Sequence, residues 1–165
     1  MAFHAYCDFG DDAKGEALEQ NHKDWVQLLS LSHTVVQPQS SSRNIGGGTV
    51  NQAEFHDYVL RKYTDKATPK LLELASNGKH LGKVTIEILK PIGGKGTKFM
   101  VIELKNVVVT SLQTDASESG VENYPVETVT LGYDHVAVTY TQVAQDGTSK
   151  GNTAFKWDRA QGAAA

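Results

Sequence analysis

Apolar residues recur at every second position along most of this chain, the pattern of strands with one buried face. Phe3, Ala5, Cys7 and Phe9 open it, and residues 26–37 form a second β-rich stretch carrying Val26, Leu28, Val35 and Val36. Val84, Ile86 and Ile88 alternate with Thr85, Glu87 and Leu89. Met100, Ile102 and Leu104 follow with the same period, and that parity is expected to resume at Val108 and Leu112. Between these two strands Pro91-Ile92-Gly93-Gly94-Lys95-Gly96 reads as a hairpin loop. Val129, Leu131 and Tyr133 keep one phase, whereas Val136, Val138 and Tyr140 keep the other. A strand with one buried face changes phase only at a bulge or bend, placed here near residues 132–135. Asp146-Gly147 signals a turn before a last strand with Thr153, Phe155 and Trp157 in step.

One helix interrupts the strands. Thr68 is its expected N-cap, Pro69 suits the first turn, and Gly78 is placed as the left-handed terminator. Leu71, Leu74 and Ala75 share one face. The class is therefore all-β with one short flanking helix, and many antiparallel strands most naturally close into a barrel or pack as two sheets. Residues 38–53 form a long extended loop rich in Ser and Gly, with Ile45 and Val50 its only large apolar side chains. Loops of that length in compact domains usually carry function, and an arm that gains order on another chain is the reading it suggests.

Length and charge narrow the classes. A chain of 165 residues suits a single domain over 1–165. Sixteen basic against nineteen acidic residues give a net charge of −3, which argues against a nucleic-acid binder because counterion release needs a concentrated basic face. No apolar run reaches the roughly 18 residues of a membrane span, and the first residues lack the basic and apolar regions of a secretory signal.

No catalytic constellation emerges. Cys7 is the only cysteine and sits on the apolar face of its strand, so it reads as a small buried hydrophobe. His4, His22, His33, His56, His80 and His135 show no metal-binding spacing and read as surface or strand-face residues. Gly93-Gly94-Lys95-Gly96-Thr97 fails as a phosphate loop because Lys95 is not followed by Ser or Thr and strands flank it on both sides. Asp8, Asp11 and Asp12 lack the spacing of a calcium loop, and no Gly-x-Ser-x-Gly elbow presents a serine. No metal or cofactor is expected.

The order of segments nevertheless resembles the haemolysin-coregulated protein (Hcp) family, the tube-forming component of type VI secretion systems. The markers are Lys14-Gly15-Glu16, Asn21-His22-Lys23-Asp24-Trp25, Leu31-Ser32-His33 followed by the Ser/Gly arm, Lys62-Tyr63-Thr64-Asp65-Lys66-Ala67-Thr68-Pro69 leading into the helix, residues 102–111, and Phe155-Lys156-Trp157. The resemblance implies a two-sheet β-barrel with a helix at its side, homohexameric rings that stack into a hollow tube, sheath and spike partners, and small effector proteins carried in the lumen. It implies export through the apparatus from the cytoplasm without a signal peptide, and neither nucleic acid nor membrane insertion. Ser32 matches the family's lumen-facing serine. Ser41, Ser42, Arg43, Asn44, Ile45, Gly46, Gly47 and Gly48 are the residues expected to reach an adjacent subunit or ring. Ala75 stands where many relatives have cysteine, and from the alanine-rich tail at 162–165 no fused effector domain is expected. The alternative reading is a small secreted effector or enzyme on the same barrel.

Overall fold

The computed structural model describes residues 4–38, 52–117 and 124–165. The strands are β1 (His4–Asp8), β2 (Val26–Leu28), β3 (Ser30–Ser32), β4 (Val35–Val36), β5 (Glu54–Phe55) and β6 (Tyr58–Tyr63). Helix α1 (Thr68–Asn77) follows, then β7 (Leu81–Ile92), β8 (Lys95–Asp115), β9 (Val126–Gly132), β10 (His135–Val143), β11 (Ser149–Asp158) and β12 (Ala163–Ala164). The first layer has the strand order β12-β11-β10-β8-β7-β1-β2, and the second runs β3-β6-β9 onto the far half of β8. Every pairing is antiparallel.

The 21 residues of β8 belong to both layers, and this requires two phase changes. Ile102 and Leu104 are buried, and then Asn106 takes a left-handed φ of 51°. After it Val107 and Val109 are the buried residues. A register shift against β9 between Val109 and Ser111 then returns Leu112 to the inward side. The expected return of that parity at Val108 is thus corrected, whereas at Leu112 it holds: the strand twists from one layer to the other, and each crossing inserts one residue. The bend expected near 132–135 is the break between β9, paired in the second layer, and β10, paired in the first.

The two layers enclose Cys7, Phe9, Leu28, Leu60, Ile86, Ile102, Leu104 and Leu131, all nearly inaccessible. The expected barrel is realised as an open, barrel-like sandwich. Among the described residues β2 pairs only with β1 and β3 only with β6, because the two are successive pieces of one chain line bent at Leu29 rather than neighbours. Helix α1 covers one side with Leu71 and Leu74, and Gly78 ends it at φ 65° with its N–H donating to the Leu74 carbonyl.

The helix start departs from expectation. Ala67, not Thr68, precedes the helix, and no side chain caps it. The Asp65 carboxylate instead accepts the Ala67 N–H at 3.0 Å. The Thr68 hydroxyl donates to Glu127 Oε2 at 2.9 Å and accepts from the Asp65 N–H at 3.2 Å. It is drawn inward by a buried ion pair: Lys62 of β6 and Glu127 of β9 are register partners, 1% and 0% exposed, with Nζ and Oε2 2.7 Å apart. Lys62 also meets Asp65 at 2.9 Å and the Tyr63 carbonyl at 2.8 Å.

Breaking one side of such a pair strands a buried charge, which typically costs about 3–5 kcal/mol. Glu127→Ala is therefore expected to lower the urea midpoint sharply, whereas Lys62→Met combined with Glu127→Leu should recover most of the loss. A midpoint unchanged in Glu127→Ala would refute the pair's structural role.

Candidate functional site

The outward side of the second layer is a band of small polar residues. Its register gives one row of Ser30, Arg61, Thr128 and Gln113, and a neighbouring row of Ser32, Val59, Thr130 and Ser111. Their neighbours of opposite parity, Leu60, Val129 and Leu131, are buried, so strand alternation alone fixes which side faces out. Ser32 is exposed on this face, opposite the half-buried Leu31. Arg61 is the one charged residue in the two rows. The rest are hydroxyls, an amide and a valine, a surface that offers donors and acceptors without a committed charge.

The four strands of this layer end in two unpaired sides. Among the described residues no strand pairs with the outer side of β3 or with residues 108–115 of β8 beyond β9. Exposed edges of this kind template pairing with another chain.

Beyond Ser32 the face runs into a groove of about 720 Å³ lined by Ser32, His33, Phe55, Asp57, Trp157 and Arg159 among others. The His33 ring stacks on Tyr58 with centroids 4.0 Å apart, and its Nε2 lies 2.8 Å from the Tyr133 hydroxyl. That hydroxyl donates to the His56 carbonyl at 3.1 Å, so His33 Nε2 donates to it. Arg159 sits 4.6 Å over the Tyr133 ring and pairs with Asp57 at 3.3 Å. Burial pushes Tyr58 up to about 12 and Tyr133 upward as well, which keeps both phenols neutral. His33 is shifted down from its ordinary value, chiefly by burial. These side chains hold one another in place, and no nucleophile is activated by a base among them.

On the other wall Phe55 stacks on Trp157 at 5.3 Å and on Phe155 at 6.2 Å. Phe55 belongs to a two-stranded ribbon, β4 with β5, that forms the base of the long arm. Val35, Val36 and Phe155 of this region are 49%, 41% and 46% exposed. Ser41, Ser42, Arg43, Asn44, Ile45, Gly46, Gly47 and Gly48 lie outside the described residues. No group of three His, Cys, Asp or Glu side chains suited to a metal is found among the described residues.

The family model for the type VI secretion system effector Hcp matches residues 6–140. The chain belongs to the Hcp family. Protein hcp1 of Pseudomonas aeruginosa is 32% identical over 151 residues, covering 92% of this chain and 91% of that protein. Among solved structures, a type six secretion system protein superposes with a TM-score of 0.90 at 23% identity, covering 99% of this chain and all of that one. Hcp1 from Salmonella typhimurium superposes at 0.79 and 21% identity over the full length of both chains. This Hcp chain is a secreted tube subunit of the type VI system, a structural protein and not an enzyme.

The expectations for this Hcp site meet the structure unevenly. Ser32 lies on the polar face, as alternation suggests. His33 and His22 are not surface histidines: the first is packed in the groove, and the second is 3% exposed beneath residues 13–25. The aromatic wall was missed as a site, although its signal is present, because Phe155 and Trp157 keep the inward phase of β11 past the end of the core.

A histidine shifted down is held neutral by the fold, so the unfolded chain binds more protons and stability falls as pH drops below the ordinary value of about 6.5. His33→Gln removes this term. The melting temperature of the native chain relative to His33→Gln is expected to fall between about pH 7.5 and 5.5, measured by calorimetry in parallel titrations. A difference that stays flat would show that His33 does not contribute.

Proposed function

We propose that this subunit closes into a hexameric ring through the two edges of its second layer, with the hydroxyl face turned to a central channel. The Hcp family is one of hexamers. The observation that carries the reading here is the second layer itself: four strands with a polar outward face and, among the described residues, a free strand edge at each side. Two different edges of one sheet make a heterologous contact, which closes into a ring when the rotation is right. The outward rows of Ser32, Thr130 and Ser111 then form the channel wall, and small effector proteins are the cargo such a tolerant wall suits. Rings stack into a tube through the arm that leaves the β4–β5 ribbon, with residues 41–48 its contact segment. Sheath and spike components are the proposed outer and terminal partners, and export through the apparatus takes the tube out of the cytoplasm.

Light scattering of the purified protein should report about six subunit masses; a monomer across micromolar concentrations would overturn ring closure. Deleting residues 41–48 should leave rings intact while tubes, seen by negative-stain microscopy, become shorter or vanish. Unchanged tubes would remove the arm from the stacking contact.

Ser32→Gln tests the channel. The amide is larger than the hydroxyl and points away from the core, so rings are expected at the native mass and melting temperature. Retention of a co-expressed effector in those rings should drop, read by co-purification. Full retention would take Ser32 off the cargo wall and leave ring closure untouched.

A further inference from the structure

Residues 13–25 cross the outer side of the first layer and close a small second core over it, where Tyr6, Ala17 and Leu89 are buried against Trp25. Gly15 permits the crossing, since a side chain there would meet the Trp25 carbonyl oxygen at 2.3 Å. His22 lies at the centre. Its ring stacks on Tyr6 at 4.6 Å and stands edge-on to Trp25 at 4.8 Å. Nδ1 meets Glu19 Oε2 from the same loop, and Nε2 meets Glu87 Oε2 of β7 at 2.8 Å. Lys98 of β8 holds the other Glu87 oxygen at 3.1 Å. The titratable groups around the ring are therefore Tyr6 from β1, Glu19 from the loop, Glu87 from β7 and, behind Glu87, Lys98 from β8.

Both ring nitrogens face carboxylate oxygens. A neutral imidazole has one N–H and satisfies one acceptor, whereas an imidazolium donates from both sides, and an ionised carboxylate only accepts. Glu19 is held below the ordinary carboxylate range, first of all by its hydrogen bond with His22. We propose that His22 is a charge-dependent clasp: as an imidazolium bridging Glu19 and Glu87 it fastens the 13–25 loop to the first layer, and loss of the proton unfastens it. The loop's other anchor, Lys66, whose backbone N–H donates to Glu16 and whose Nζ donates to Asp24, does not involve the imidazole, so the segment around His22 is the part released. That segment presents Leu18, which is 96% exposed, and the clasp thus sets how an apolar side chain is displayed on the subunit surface.

The direction follows from linkage. An imidazolium that gives up its proton leaves one of the two carboxylates without a donor, so the clasp weakens as pH rises. The Glu19 contribution is present above about 4.3, the unfolded carboxylate value, and is lost as pH falls. The clasp is tightest in mildly acidic solution and opens on the alkaline side.

Trp25 reports the state, because a protonated imidazole in contact with an indole quenches its emission. Tryptophan fluorescence of the intact protein, titrated from about pH 5 to 9 with His22→Gln as the reference for Trp157, should show one rise with increasing pH. Acrylamide quenching of the same emission should increase across the same step. Glu87→Gln is expected to move the step to lower pH by removing one acceptor, and Lys98→Met to move it to higher pH by removing a competing cation. Should His22→Gln not fold, these two variants against the native protein carry the test. The absence of a step, a step at unchanged pH in Glu87→Gln, or a step without greater acrylamide access would each overturn the clasp.

Discussion

The buried pair of Lys62 and Glu127 constrains more of this fold than any apolar contact of similar size. It joins β6 to β9 at one register, and through Asp65 and Thr68 it fixes where helix α1 begins. A strand pair could slip by two residues and keep its apolar residues inward, but such a slip would leave each charge facing a hydrocarbon wall. The pair gives the second layer its register more than it adds to stability, since a well-packed apolar pair of equal volume is often as stable. Glu127 Oε1 finds no donor among the described residues, so the site is not saturated with hydrogen bonds. That register is what aligns Ser32 with Val59 and Thr130 on the outward side.

The second constraint is that one strand serves two layers. A 21-residue strand cannot stay flat, because strand twist accumulates along it. β8 turns the excess twist to use at Asn106 and between Val109 and Ser111. Asparagine suits the left-handed position at 106, and its side chain ties His80 to Asp134, clamping the start of β7 to the β9–β10 bend. The same twist carries β10 and β11 away from the core, so that Phe155 and Trp157 are met by the arm's base rather than by another strand.

How much of this was legible depends on whether the information is local. Strand existence, the hairpin at 91–96, the break at 132–135, the apolar face of α1 and the left-handed Gly78 follow from period and turn chemistry, and all are present. Ser32 could be placed outward because a single neighbour, Leu31, fixes its phase. The shift at Asn106 could not be seen, since Val107, Val108 and Val109 are all apolar and any phase fits them. Lys62 and Glu127 did leave a trace. Each occupies the inward phase of its strand, beside Leu60 and Val129, and a charge on an apolar phase signals a partner across the sheet. The bonds from His22 to Glu87 and from His33 to Tyr133 leave no such trace, because both histidines lie outside strands, where no alternation marks a side chain as inward.

The two sides of the second layer answer opposite physical demands. The inner side must choose one arrangement, and it does so with tightly packed Leu60, Val129 and Leu131 and a single buried ion pair. The outer side must not choose, if it is to accept different partners in turn, and it carries short side chains that lose little rotamer freedom and hydroxyls that donate or accept as required. Specificity on that side therefore cannot come from the face; it has to come from its edges. There the backbone of β3 and of the far half of β8 presents fixed donors and acceptors at strand spacing, a pattern that recognises another strand and rejects most else. A polar, permissive wall bounded by two demanding edges is what one sheet yields when its register is locked from the inside.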